Sequence, residues 1–332
     1  KDYKIVFFDT SGRSIFHRNI LDTYKENRKL KMIEYRGDET EEELIKKNIM
    51  NEKIKTRLIF NTIRNKNQHI IYYILKRIKN VHAIYLENLE TDFIPHYIIN
   101  YFLNPEKKKN YNFVILSNDH DMFQTLSSNN IFQIYKINNE IITINKSNLW
   151  DIFFHIKKIS NVSLLDCKEK LDNTYFPIIY SFIGDNTDNI PGIKFIGIKR
   201  IIELLLDPLS KKILGNPNEV LNRVYESDIF FNPDFIDYKN AGLWTKKLFN
   251  NNNNVKELEK KLVSSFKLIS FDYLCKWLKD QESLQKMKWV DQIETELNSK
   301  YEHLSSHEII ESFEKLDKLH IKKESIEICV NY

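Results

Sequence analysis

The chain has 332 residues, 42% of them hydrophobic, which is enough for one large domain or two modest ones with a real core. Its formal net charge of +4 is too small by itself to argue for a nucleic-acid partner, so the distribution of charge matters more than the sum. Apolar stretches are broken by Lys, Asn or Glu every few residues, so no membrane insertion or secretory leader is expected, and Cys167, Cys275 and Cys329 are too scattered for a zinc knuckle or disulfide framework, which suits a reducing compartment.

From the start of the chain, Lys4 to Phe8 is a short apolar run ending at Asp9 and a turn-like Thr10-Ser11-Gly12, which predicts a buried strand with a carboxylate at its tip. A long, charged, mostly helical stretch follows from Tyr24 to Lys79, with Lys and Arg crowding residues 25 to 66. It is too polar to be packed on all sides and is expected to form an arch or lid. The strand grammar then recurs. His82 to Leu86 leads into Glu87, Glu90 and Asp92, and Phe113 to Leu116 leads into Ser117, Asp119 and Asp121. Helical segments at Ile70 to Ile78 and Ile94 to Leu103 separate these runs, which implies an α/β fold with a parallel sheet whose strand ends gather acids in one crevice. From Phe176 onward the pattern is helical, punctuated by Pro191, Gly192 and Gly197. Residues 216 to 254 read as polar and loop-rich, and Val255 to Ile328 reads as helical again. The Asn, Lys and Ile bias and the run Asn250 to Asn254 are read as AT-biased coding rather than a functional tract.

Two constellations carry chemistry. The first is the carboxylate set Asp9, Glu90, Asp92, Asp119, Asp121, Asp185 and Asp188. Acids collected at strand ends repel one another unless a cation neutralises them, and two divalent ions about 4 Å apart suit phosphodiester hydrolysis. Each acid taken alone could equally be a cap or a solvated loop residue. The second is Ser181 to Lys199, SFIGDNTDNIPGIKFIGIK, where two acids precede a glycine-containing hairpin that opens a helix. Gly192 and Gly197 would let the backbone approach a phosphate, and Lys194, Lys199 and Arg200 would supply countercharge. His120 lies between two acids, but alternation along an extended segment would turn it away from them. His17 and His96 read as surface or core-edge residues, and Trp150, Trp244, Trp277 and Trp289 as core.

The stretch from Ser181 to Lys199 resembles the helix-three-turn-helix signature of the 5′ nuclease superfamily, in the form seen in the 5′-3′ exonuclease domain of bacterial DNA polymerase I and in phage 5′ exonucleases, with flap endonucleases as more distant relatives. Ile5 to Arg28 is similar to the family's strand-end Asp followed by a Tyr-Lys-x-x-Arg helix, Glu90-Thr91-Asp92 to its Glu-Ala-Asp motif, and Ser117 to Asp121 to its Ser-x-Asp-x-Asp motif. Phe93 stands where bacterial members usually have a further Asp.

The resemblance implies a PIN-like nuclease core with a basic arch (about 28 to 66) over residues 1 to 175, and a DNA-binding hairpin with C-terminal helices over 176 to 332. It implies that Asp9, Glu90, Asp92 and Asp119 lie toward one Mg2+ and Asp121, Asp185 and Asp188 toward a second, with Mn2+ as a substitute. A K+ at the hairpin is expected in addition. Lys25 and Arg28 would grip the scissile phosphate from one helical face, while Gly192, Lys194, Gly197, Lys199 and Arg200 would hold DNA. A further strand with an acidic tip is expected upstream of Lys1.

The implied function is a structure-specific 5′-3′ exonuclease or 5′-flap endonuclease in replication and repair. It would act as a monomer on DNA with a 5′ flap or 5′ end, with a DNA polymerase and ligase as partners. The expected setting is a DNA-containing compartment, a bacterial-derived organelle before a phage or bacterial cytoplasm. The alternatives are a catalytically silent, structure-specific DNA-binding protein and an RNA-directed nuclease that removes primers.

Overall fold

The computed structural model describes residues 4–8, 14–25, 40–78, 80–103, 105–137, 139–160, 162–233, 255–280 and 284–299. In chain order its elements begin with β1 (Lys4–Phe8), α1 (Ile15–Ile20), α2 (Glu41–Leu75), β2 (Val81–Tyr85), α3 (Ile94–Tyr97), α4 (Pro105–Lys109) and β3 (Phe113–Leu116). A 3-10 turn over His120–Thr125 precedes β4 (Ile131–Ile137), β5 (Glu140–Ile144), α5 (Leu149–Lys157), α6 (Leu164–Lys170) and α7 (Phe176–Ile183). The remaining helices are α8 (Ile198–Leu206), α9 (Pro208–Leu214), α10 (Pro217–Ser227), α11 (Val255–Ile269), α12 (Phe271–Lys279) and α13 (Leu284–Asn298). The segment expected to be loop-rich from 216 contains α10, because Asn216 and Glu219 form a reciprocal capping box and Pro217 is preset for a first helical turn.

The chain divides into two compact units, each assembled from separate stretches. One comprises Lys1–Arg13, Lys29–Thr91 and Gln281–Tyr332. In it β1 and β2 pair in parallel, Lys4 opposite Val81 and Phe8 opposite Tyr85. Helix α2 starts at a capping box, the Glu43 amide donating to Thr40 Oγ1 and the Thr40 amide to Glu43 Oε2. Its 35 residues correspond to about 52 Å of helix. The expectation of a charged, helical stretch between the first two strands is met by α2, although residues 26–39 lie outside those described. Buried Glu296 of α13 ties this unit together: it takes the Ala83 amide on Oε1 at 3.2 Å and Lys76 Nζ on Oε2 at 2.9 Å. A buried carboxylate persists where charge and hydrogen-bond partners are supplied together.

The second unit comprises Ser14–Arg28 and Asp92–Asp280. Here β3 pairs in parallel with β4, and β4 runs antiparallel to β5. The expected parallel pairings are therefore present but carried by two sheets, one of them mixed. Helix α7 is apolar all round, FPIIYSFI, and every residue from Phe176 to Phe182 is buried, as that composition demands. Its Phe176 stacks on Trp150 at 5.1 Å, and burying each such ring contributes about 1.5–3 kcal/mol. Phe93, the departure noted in the sequence, is fully buried at the start of α3 and serves as core. His17 and His96, expected at the surface or core edge, are both buried. His96 is held inside by Asp272 at 3.0 Å from Nε2 and Thr125 at 3.3 Å from Nδ1, and polar side chains go inside when such partners exist. Trp150 and Trp289 are core, as expected, whereas Trp244 lies outside the described residues.

Candidate metal centre

The second unit builds its acidic site from two loops. The first follows β3. There the Ser117 hydroxyl accepts the Asp119 amide at 3.0 Å, and Asp119 Oδ1 accepts the Asp121 amide at 2.9 Å, so Asp119 caps the 3-10 turn that begins at His120. Buried Gln133, reaching over from β4, donates from Nε2 to the carbonyls of Ser117 and Asp119, both at 2.8 Å. The loop is thereby fixed by the strand beside it. His120 turns to Tyr135, with Nε2 2.9 Å from the phenol oxygen. The sequence expectation that it faces away from its acidic neighbours fits, but the local backbone is a 3-10 turn rather than an extended segment.

The second loop follows α7. Gly184 has φ +69, and a Cβ there would collide with the Gly192 amide nitrogen and the Ile190 carbonyl oxygen; at Gly192 a Cβ would collide with the Ile183 carbonyl. The two glycines let the chain fold back on itself. A backbone bridge closes the turn, the Asp185 amide donating to Ile190 O at 3.0 Å and the Ile190 amide returning to Asp185 O at 2.8 Å. Asp185 Oδ1 then accepts the Thr187 amide at 2.6 Å. Asp188 faces Lys25, with Nζ 3.6 Å from Oδ2, while the Tyr24 hydroxyl donates to the same oxygen at 3.1 Å. The Lys25 amide donates to Asp188 O, and Asn189 Nδ2 donates to Thr23 O, each at 2.8 Å.

This clamp corrects one expectation. Lys25 does not ride on a helix with Arg28, because α1 ends at Ile20 and Lys25 sits in a turn with φ +53, fastened by its own backbone to Asp188. Arg28 and Asp9 lie outside the described residues. Glu90 follows β2, half-buried, in the first unit. Lys194 is exposed in the hairpin, Gly197 is the N-cap of α8 with open space where a Cβ would stand, and exposed Lys199 and Arg200 occupy the first turn of that helix. An Arg200 Nη1 hydrogen bond to the Phe195 carbonyl braces the hairpin.

Within the second unit the acids act on one another. Burial, and then the charges of Asp119, Asp185, Asp188 and Asp92, push the Asp121 carboxyl well above the ordinary carboxylate value. Tyr180 and Lys157, which sequence reasoning missed, belong to the same electrostatic neighbourhood. Burial and then Asp121, Asp119, Tyr135 and Asp185 push the Tyr180 phenol up, whereas burial pulls the Lys157 ammonium down against the pull of Asp121 and Asp185. No pattern in the sequence marks them, since each reads as an ordinary core or helix-end residue. Among the described residues, no three His, Cys, Asp or Glu side chains form a ready-made metal cage. The donor chemistry nevertheless fits Mg2+, which takes hard oxygen, keeps several waters and is usually held by one or two carboxylates.

No protein-family model and no curated protein matches the chain. A solved structure of the phage T5 D15 protein, co-crystallised with metal ions, superposes with a TM-score of 0.50 at 18% identity, over 88% of this chain and 85% of that one. The chain has the fold of the 5′ nuclease superfamily. Two further phage T5 structures match at TM-scores of 0.49 and 0.48. The T5 5′-exonuclease with bound zinc is 18% identical, over 89% of this chain and 84% of that one. The D15 flap endonuclease in a pseudo-enzyme-product complex with DNA and metal ions is 16% identical, over 90% and 85%. The 5′ nuclease fold spans nearly the whole chain, and no described helix is long and apolar enough to cross a membrane.

Proposed function

We propose that this chain is a divalent-metal-dependent 5′ nuclease that hydrolyses DNA phosphodiesters at a 5′ end or 5′ flap. The observation that carries the reading is the convergence of Asp92, Asp119, Asp185 and Asp188 on the Asp121 carboxyl within one unit, on a fold shared with the T5 D15 protein. Like charges are gathered at a cost, and a site that binds cations supplies the reason. Asp119, Asp121, Asp185 and Asp188 would hold Mg2+ or Mn2+, with Asp92, Glu90 and Asp9 completing the set. The ions would supply charge neutralisation at the phosphate.

The rest of the work falls to the chain's own residues. Lys25, anchored beside Asp188, would pair with the substrate phosphate and Arg28 would share that charge. The α8 amides with Lys194, Lys199 and Arg200 would follow the duplex backbone, with Gly192 and Gly197 allowing close approach and a K+ at the hairpin. The basic arch over 28 to 66 would admit a 5′ end. Removal of flaps or primers beside a DNA polymerase and a ligase, in a DNA-containing compartment of bacterial-derived type, is the biological setting that suits this chemistry.

The test is cleavage of a 5′-labelled flap duplex with Mg2+, with chelator, and by the Asp119→Asn plus Asp121→Asn variant. Metal-dependent cutting lost in the variant is the expected result. Flap binding with no cutting by the wild-type chain sinks the enzymatic reading and leaves the silent DNA-binding protein. Preference for an RNA primer over a DNA flap of the same sequence would favour the RNA-directed nuclease.

A further inference from the structure

Tyr180 lies on α7 five residues before Asp185, and it is only 7% exposed. Its ring is fixed by Phe176, 6.1 Å away and nearly parallel, and by Lys157 Nζ, 5.9 Å from its centroid. Its hydroxyl oxygen is buried and has no hydrogen-bond partner among the described residues. Such an orphan is unusual, because buried polar groups are paired in most structures and an unpaired one bears the full desolvation cost. The charges acting on this phenol are those of Asp121, Asp119 and Asp185, which also act on one another, yet none of them lies within hydrogen-bond distance of it. Lys157, the ammonium beside the ring, forms no ion pair with these acids among the described residues. Neither the phenol nor the ammonium therefore closes the space by direct contact.

A hydroxyl donor facing carboxylate acceptors across a gap matches one kind of occupant: a small group that accepts from the phenol and is also drawn to anions. The hydration shell of a divalent cation has both properties, since its waters offer an oxygen to Tyr180 and hydrogens to the carboxylates. We propose that the Tyr180 hydroxyl is an outer-shell ligand of the cation site formed by Asp119, Asp121 and Asp185, positioning the ion through its hydration shell. This role rests on the metal-dependent reading above and adds to it a residue that the motifs do not contain. Outer-shell partners commonly fix the orientation of inner ligands, and losing one typically weakens metal binding about 10-fold or more.

The test is calorimetric titration of the full chain with Mg2+ and with Mn2+, comparing wild type, Tyr180→Phe, and Asp119→Asn plus Asp121→Asn, with thermal melts in chelator alongside. Tyr180→Phe removes a single oxygen that has no protein partner, so its melting temperature in chelator should equal or exceed that of wild type. Its affinity for both ions should fall about 10-fold. Wild-type binding with Tyr180→Phe within twofold of it overturns the proposal and leaves the metal-dependent reading intact, the orphan then facing an ordinary bound water. A wild-type chain that binds neither ion overturns both. A Tyr180→Phe variant that melts well below wild type in chelator also overturns the proposal, because the hydroxyl would then have a structural partner.

Discussion

Asp119 commits one carboxylate oxygen to the Asp121 amide, whereas Asp121 is surrounded by acids and raised in pKa by burial and by them. In chelator, replacing Asp121 with Asn should therefore raise the melting temperature by relieving like-charge repulsion, and should abolish any stabilisation by Mg2+. Paired melts with and without the ion check this; a lower melting temperature in chelator contradicts the account. Asp272 is the opposite case. Burial raises its carboxyl, but the His96 hydrogen bond and charge, the Tyr101 hydroxyl and Lys108 outweigh burial and hold it below the ordinary carboxylate value. A depressed carboxylate contributes stability above its unfolded value, and that stability is lost as pH falls through the folded one. Asp272→Asn should thus lower the melting temperature at neutral pH, with the difference from wild type shrinking in acid. The buried Cys167 thiol, raised to about 11 by burial and then by Asp166, and the buried Cys275 thiol, raised further by burial, should resist alkylation until the protein is unfolded. At this scale the acids were legible because each ends an apolar run, whereas Tyr180, Lys157 and Gln133 were not, since their partners come from other elements.

Elements were legible wherever period and punctuation agree. Lys4–Phe8 and Phe113–Leu116 are strands as read, and β2 is shifted by one residue from its apolar run. The stretch from 216 was misread because its polar composition outweighed the capping box around Asn216 that starts α10. Lys25 was misplaced because a Tyr-Lys-x-x-Arg spacing looks helical, while the chain there is held in a left-handed turn by the Asp188 carbonyl. The two glycines ahead of α8 make the hairpin fragile: Gly184→Ala and Gly192→Ala should each cost more than about 1 kcal/mol, measured by denaturant unfolding, because the added Cβ meets backbone. Gly197→Ala, at a cap with open space, should cost less than about 1 kcal/mol. Lys194→Ala and Lys199→Ala should weaken DNA binding across sequences and lower the salt slope by about 0.9 for each phosphate no longer neutralised; an unchanged slope would remove this hairpin from the DNA path.

At the scale of the molecule, Mg2+ that binds only the folded chain should raise its stability in proportion to the logarithm of concentration, about 2.7 kcal/mol at a hundred times Kd. A melt whose midpoint is indifferent to Mg2+ would mean that the acids do not hold the ion. Two compact units built from interleaved stretches, with Ser14–Arg28 joined to Asp92–Asp280, could not be read along the chain, because contact between distant segments leaves no periodic trace. The order of residues was enough for the class of the fold, the apolar strands and the acids at their ends, since hydrophobic alternation and punctuation are local properties carried by neighbouring residues. It took the folded chain to establish that the strands divide between two sheets, that Asp121 is the carboxyl on which four other acids act, that Lys25 is fastened to Asp188, and that a buried phenol on α7 faces the acids without a partner among the described residues. Those facts depend on side chains brought together from separate elements, where burial strengthens electrostatics and leaves an unpaired polar atom costly.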